Sequence, residues 1–234
     1  MSEAPVEIRI VTHTDMPEPR KRKKKHLPKV VSSLEAERMI QAAATDAECT
    51  EPERVRNKLA LTLMYRAGLR VSEVVSLAPR DIEADGIIRL YDAKGGDGTA
   101  YFDPESIMPL VAEWVGWRAR FVPFARHDLP LLVMLPAARA MNTRYIQRLV
   151  KRLKEQLGIR GIVTPHVFRH TYATELLEEG FSLIEVQSAL RHANLQTTAV
   201  YLHVRDESLR RKMTSRARHG AMNEGGESHA QEAL

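Results

Sequence analysis

Thr164-Pro-His-Val-Phe-Arg-His-Thr-Tyr-Ala-Thr-Glu-Leu-Leu-Glu-Glu-Gly180 opens the decisive stretch, which continues as FSLIEVQSALRHANLQTTAVYLHV to Val204. Thr164 is a good N-cap, Pro165 suits a first helical position and Gly180 is a stop, which predicts a helix over 165–179. Ser182 and Glu185 form a capping box for a second helix, along which Leu183, Val186 and Leu190 recur at helical spacing. A third helical piece is expected from about Asn194, carrying Tyr201. His166 and Arg169 lie three apart on the first helix and share a face, so both can reach one anion at its positive end. Two histidines, an arginine and a tyrosine are the side chains that handle a phosphodiester.

Taken together, His166-x-x-Arg169 and His192 followed nine residues later by Tyr201 resemble the carboxy-terminal signature of the tyrosine recombinases, the phage-integrase family. Arg191 departs from that pattern, which usually has glycine before the second histidine. Upstream, Gly68-Leu69-Arg70-Val71-Ser72-Glu73 resembles the motif that supplies the family's first catalytic arginine. The resemblance assigns that role to Arg70 and gives Glu73 the support of the backbone around it. Ile87–Tyr91 and Thr99–Phe102 are β-prone runs around Lys94-Gly-Gly-Asp-Gly98, which predicts a hairpin. Family catalytic domains carry an essential lysine there, and Lys94 is the one lysine between Lys58 and Lys151. The strand, GxxxxGK[ST] and helix order of a P-loop is missing.

Further out, Leu27-Pro-Lys-Val-Val-Ser-Ser33 resembles the entry to the recombinase catalytic domain, and Ser32 with Glu35 forms a capping box for its first helix. Pro52 starts a helix running to Gly68. Between residues 105 and 163 the pattern is structural: Trp114 and Trp117 on a helix, a short buried strand or helix edge at 131–135, and Asn142 capping an amphipathic helix that ends at Gly158. Arg144, Arg148, Lys151, Arg152 and Lys154 on that helix offer either a DNA-lining or a solvated face. His170 and Tyr172 are read as structural. His166 and His170 have the i, i+4 spacing of helical metal ligands, but no acidic third ligand accompanies them.

The expected fold class is a mostly helical α+β tyrosine-recombinase catalytic domain with a small hairpin. Its expected bounds are residues 27–219, between a basic arm at 1–26 and a flexible polar tail at 220–234. With 26 residues ahead of Leu27, the resemblance implies that the family's separate core-binding domain is missing.

Charge placement bears on the partner. The net charge is +5, yet six of the 35 basic residues fall in Arg20, Lys21, Arg22, Lys23, Lys24 and Lys25, leaving 29 basic against 30 acidic elsewhere. That run is a candidate for sequence-independent phosphate contacts, with a solvated tail or an import-like signal as alternatives. Val6, Ile8 and Ile10 alternate as a short strand. The single cysteine, Cys49, excludes an internal disulfide and fits a reducing compartment. No signal peptide or membrane-length apolar run is present, so a bacterial cytoplasmic, nucleoid-associated protein is expected.

The resemblance implies the chemistry. Tyr201 attacks a DNA phosphodiester, Arg70 and Arg169 clamp the nonbridging oxygens, His192 adds a hydrogen bond, Lys94 protonates the leaving oxygen and His166 exchanges the tyrosine proton. It implies neither metal nor nucleotide cofactor. The implied partners are double-stranded DNA, a tetramer of identical subunits on it, and accessory DNA-bending factors. Two alternatives stand beside a mobile-element recombinase: a type IB topoisomerase-like enzyme, and a non-catalytic DNA-binding regulator.

Overall fold

The computed structural model describes residues 31–91, 97–123, 126 and 128–191. In chain order these form α1 (Ser33–Ala44), α2 (Glu51–Arg66), the short α3 (Val71–Ser76), β1 (Ile87–Leu90), β2 (Gly98–Tyr101), α4 (Pro104–Arg118), β3 (Val133–Met134), β4 (Arg139–Ala140), α5 (Thr143–Gln156), α6 (Pro165–Glu179) and α7 (Leu183–Leu190). The strands make two antiparallel hairpins, so the fold is mainly helical, as expected. Among the described residues, no helix is long and apolar enough to cross a membrane.

α2 is the axle. Its buried positions surround the helix rather than forming one stripe, including Val55, Leu59, Ala60, Leu61, Leu63, Met64 and Tyr65. A helix buried all round must be covered on several sides, and α1, α4 and α6 all pack on it. Thr50 and Glu53 start it: the Glu53 carboxylate accepts from both the backbone N–H and the hydroxyl of Thr50, a contact that the reading from Pro52 overlooked. α5 has one apolar stripe, Ile146, Leu149, Val150 and Leu153, set against the same core.

Several polar groups inside this core are paired across elements. Arg56, fully buried on α2, donates from Nη1 to the Val133 carbonyl at 3.1 Å and from Nη2 to Asn57 Oδ1 at 3.0 Å and Tyr145 Oη at 2.6 Å. It thereby joins α2 to β3 and α5, which offsets the cost of burying its charge. Trp114 Nε1 donates to the Leu131 carbonyl at 2.8 Å. Tyr65 Oη donates to Glu175, linking α2 to α6, and Thr171 Oγ1 on α6 donates to the Val31 carbonyl at 2.9 Å.

α6 and α7 form a helical hairpin with its own small core of Ala173, Leu177, Val186 and Leu190. Gly180, at φ +105°, ends α6, and the Ser182–Glu185 box starts α7, as the sequence requires. Thr164 occupies the N-cap of α6, but its side chain makes no capping bond. The β1–β2 hairpin pairs Ile87 with Tyr101 and Leu90 with Gly98, burying Ile88, Leu90 and Ala100 and leaving Tyr91 and Tyr101 in solvent.

Candidate active site

The site grows from the turn between α2 and α3. Gly68 there has φ +60°, and a Cβ on it would stand 2.6 Å from Cδ1 of Tyr172, so only glycine fits beneath that ring. Leu69 is fully buried, which turns Arg70 outward at the N-cap of α3. Three residues on, Glu73 folds back: Oε2 accepts the Arg70 backbone N–H at 2.7 Å, and Oε1 accepts from Arg70 Nη1 at 2.7 Å. This is half of a capping box, since an arginine side chain has no acceptor to return the bond.

Arg169 approaches from α6, its side chain 7% exposed. Nη1 donates to the Gly68 carbonyl and Nη2 to the Leu190 carbonyl. The guanidinium therefore staples the residue two before Arg70 to the last residue of α7, and it stands 3.9 Å from Glu73 Oε2. Arg191 comes from the end of α7, where it takes the left-handed C-cap conformation at φ +51°. Its Nη2 donates to Glu73 Oε2 at 2.8 Å and its Nη1 to the Ala189 carbonyl at 3.1 Å.

One carboxylate thus sits among three guanidiniums. Burial alone would raise the Glu73 carboxyl, but the Arg191 charge, the hydrogen bonds from Arg70 and the charge of Arg169 outweigh it and hold the group below its ordinary range. Three positive charges against one negative leave the cluster suited to an anion. Arg70 is its most accessible member, with 36% of its side chain exposed. It borders a cleft of about 330 Å³ lined also by Ser72, Arg80, Arg89 and Tyr91.

His166 lies in the first turn of α6 and is exposed, whereas Arg169 one turn later is buried. Beside them His170 is half-buried and titrates below the ordinary histidine range, through burial first and then the charges of His166 and Arg169. The structure therefore brings Arg70 and Arg169 together through Glu73 and places His166 on the helix of Arg169. Lys94, His192, Tyr201, the run Arg20–Lys25 and the strand expected at Val6–Ile10 lie outside the described residues. Of the cations considered for DNA on α5, Arg152 is committed to Asp46 and Glu48.

Sequence reading noted Arg191 as a departure from the resembling pattern and missed its bond to Glu73. Its one local signal was an arginine at a helix end where the resembling pattern has glycine.

The fold is that of the catalytic domains of tyrosine recombinases. It matches the crystal structure of XerA recombinase with a TM-score of 0.67 and 28% identity, over 82% of this chain and 66% of that one. It also matches XerH recombinase bound to a palindromic difH substrate in a post-cleavage complex, with a TM-score of 0.68 and 26% identity over 81% and 53%. Residues 29–208 match the phage integrase family, and the chain belongs to it. Among curated relatives, the tyrosine recombinase XerD of Proteus mirabilis is 35% identical over 196 residues, and XerD of Ralstonia nicotianae 32% over 191. Those alignments take in 80% and 79% of this chain and 58% of each relative, so the chain spans somewhat over half their length.

Proposed function

We propose that this protein is a site-specific DNA recombinase that cuts and rejoins strands through a 3′-phosphotyrosine intermediate. The observation that carries the reading is the pairing of Arg70 and Arg169 around Glu73, at the positions where the family's motifs put its catalytic arginines. A guanidinium pair preorganised by a carboxylate and two carbonyls suits a phosphate that gains charge in the transition state.

In the proposed reaction the Tyr201 phenol oxygen bonds to phosphorus and the bond from phosphorus to the 5′ oxygen breaks. A phenol with a pKa of about 10 needs help to ionise, and His166 takes its proton while Lys94 gives one to the leaving 5′ oxygen. Arg70 and Arg169 hold the nonbridging oxygens, and His192 adds a hydrogen bond. The phosphotyrosine link keeps the bond energy, so attack by a new 5′ hydroxyl reverses the step.

The proposal includes double-stranded DNA held by four subunits, assistance from DNA-bending proteins and a cytoplasmic setting on the nucleoid. It also includes the division into a DNA-contacting arm at 1–26, a catalytic domain at 27–219 and a tail at 220–234. An integrase or resolvase role on a mobile element rests on the family's description; the named relatives are Xer recombinases.

The test is a denaturing gel for covalent protein–DNA product on nicked suicide duplexes. The expected result is an adduct formed by the wild type and lost in Tyr201→Phe with DNA binding retained. Arg70→Ala and Arg169→Ala should each slow its formation by about 10²–10³-fold, the cost of one preorganised donor. Binding without any adduct would favour a regulator instead.

A further inference from the structure

Arg191 is an anomaly in its own backbone. At φ +51° it holds a left-handed conformation that glycine adopts freely and residues with a Cβ adopt at a cost. The side chain that incurs this cost is folded inward, 13% exposed. Its placement is not set by maximal hydrogen bonding, because Nε is buried with no partner among the described residues. What it reaches is Glu73 Oε2, the oxygen that also accepts the Arg70 backbone N–H. With Oε2 held from the α7 side, Oε1 is left facing Arg70 Nη1.

The opposite side of the cluster accommodates the same side chain. A Cβ at Gly98 on β2 would stand 3.0 Å from Arg191 Cδ, so a residue without a side chain leaves room for its stem. Arg191 therefore lies between the hairpin and Glu73, with Nη2 spent on the carboxylate and Nη1 on the Ala189 carbonyl.

We propose that Arg191 is a positioning residue: by fixing the carboxylate of Glu73 it sets the guanidinium of Arg70 for the phosphate, without touching the phosphate itself. The inference rests on the recombinase reading and extends it to a position where this chain departs from the family's pattern. Arg70 is then arranged before DNA arrives, at the expense of a strained helix end.

The experiment is a double-mutant cycle read by single-turnover adduct formation on a nicked duplex at saturating protein, with DNA affinity and Tm measured separately. Arg191→Gly relaxes the backbone, and Arg191→Asn, which also tolerates this conformation, guards against a folding artefact. Each should slow adduct formation by about 10- to 100-fold, the scale expected when a clamping group shifts by about 1 Å, with affinity within about twofold of wild type. Arg191→Lys should recover part of the rate by returning a charge to Oε2. In a Glu73→Gln background, Arg191→Gly should cost less than about twofold more, because the group it acts through is gone. Wild-type rates in both Arg191 variants would overturn the proposal, as would the full loss persisting in the Glu73→Gln background, which would put Arg191 on the DNA. If the wild type itself forms no adduct, the recombinase reading fails and the inference with it. An active wild type with unaffected variants removes the inference alone.

Discussion

At the scale of single residues, Glu73 governs the site. It faces Arg70 on its own helix, Arg169 from α6 and Arg191 at the end of α7, and its carboxyl titrates below its ordinary value of 4.5. A carboxyl depressed in the folded state adds stability that is complete above its unfolded pKa and lost as pH falls through the folded one. Glu73→Gln should therefore lower stability by about 2–4 kcal/mol near neutrality, because three guanidiniums lose their counter-charge. In thermal melts from pH 7 to pH 3, the Tm gap between wild type and variant should hold to about pH 5 and narrow below it. A gap independent of pH would mean that the ionised carboxylate is not what stabilises the cluster.

At the scale of elements, the turn between α2 and α3 matters most. Gly68 and Gly158 have nearly the same φ, +60° and +64°, yet a Cβ at Gly158 would meet nothing within 4 Å while one at Gly68 would strike the Tyr172 ring. Gly158→Ala should cost about 1 kcal/mol, for conformation alone. Gly68→Ala should cost about 2–4 kcal/mol and slow cleavage, because it also displaces the carbonyl that holds Arg169. Urea titration distinguishes them: both midpoints fall at unchanged slope, and the Gly68 variant falls further. Helices of this kind were legible because their signals are local, a capping box at Ser32, a cap at Asn142 and a stop at Gly180. What depends on distant partners was not. Arg56 is buried only because Val133 and Tyr145 arrive from 77 and 89 residues away, and Arg191 meets Glu73 across 118. Arg152, open in the sequence between a DNA-lining and a solvated face, is held by Asp46 and Glu48, more than 100 residues earlier.

At the scale of the molecule, charge is concentrated rather than spread, with six basic residues at 20–25 and near balance elsewhere. Neutralising Lys21, Arg22, Lys23, Lys24 and Lys25 should weaken DNA binding and flatten its dependence on log[salt] by about 0.9 for each phosphate that the run had neutralised. An unchanged slope in titrations at several salt concentrations would make the run a passive tail. The candidate site reads at this scale as a set of motifs in order; how one arginine ties two of them together required the fold. The hydrogen bond from Thr171 to the Val31 carbonyl adds a mechanical consequence. Thr171 is two residues past Arg169, so a shift of the backbone at Val31 reaches the helix of Arg169 through a single hydrogen bond.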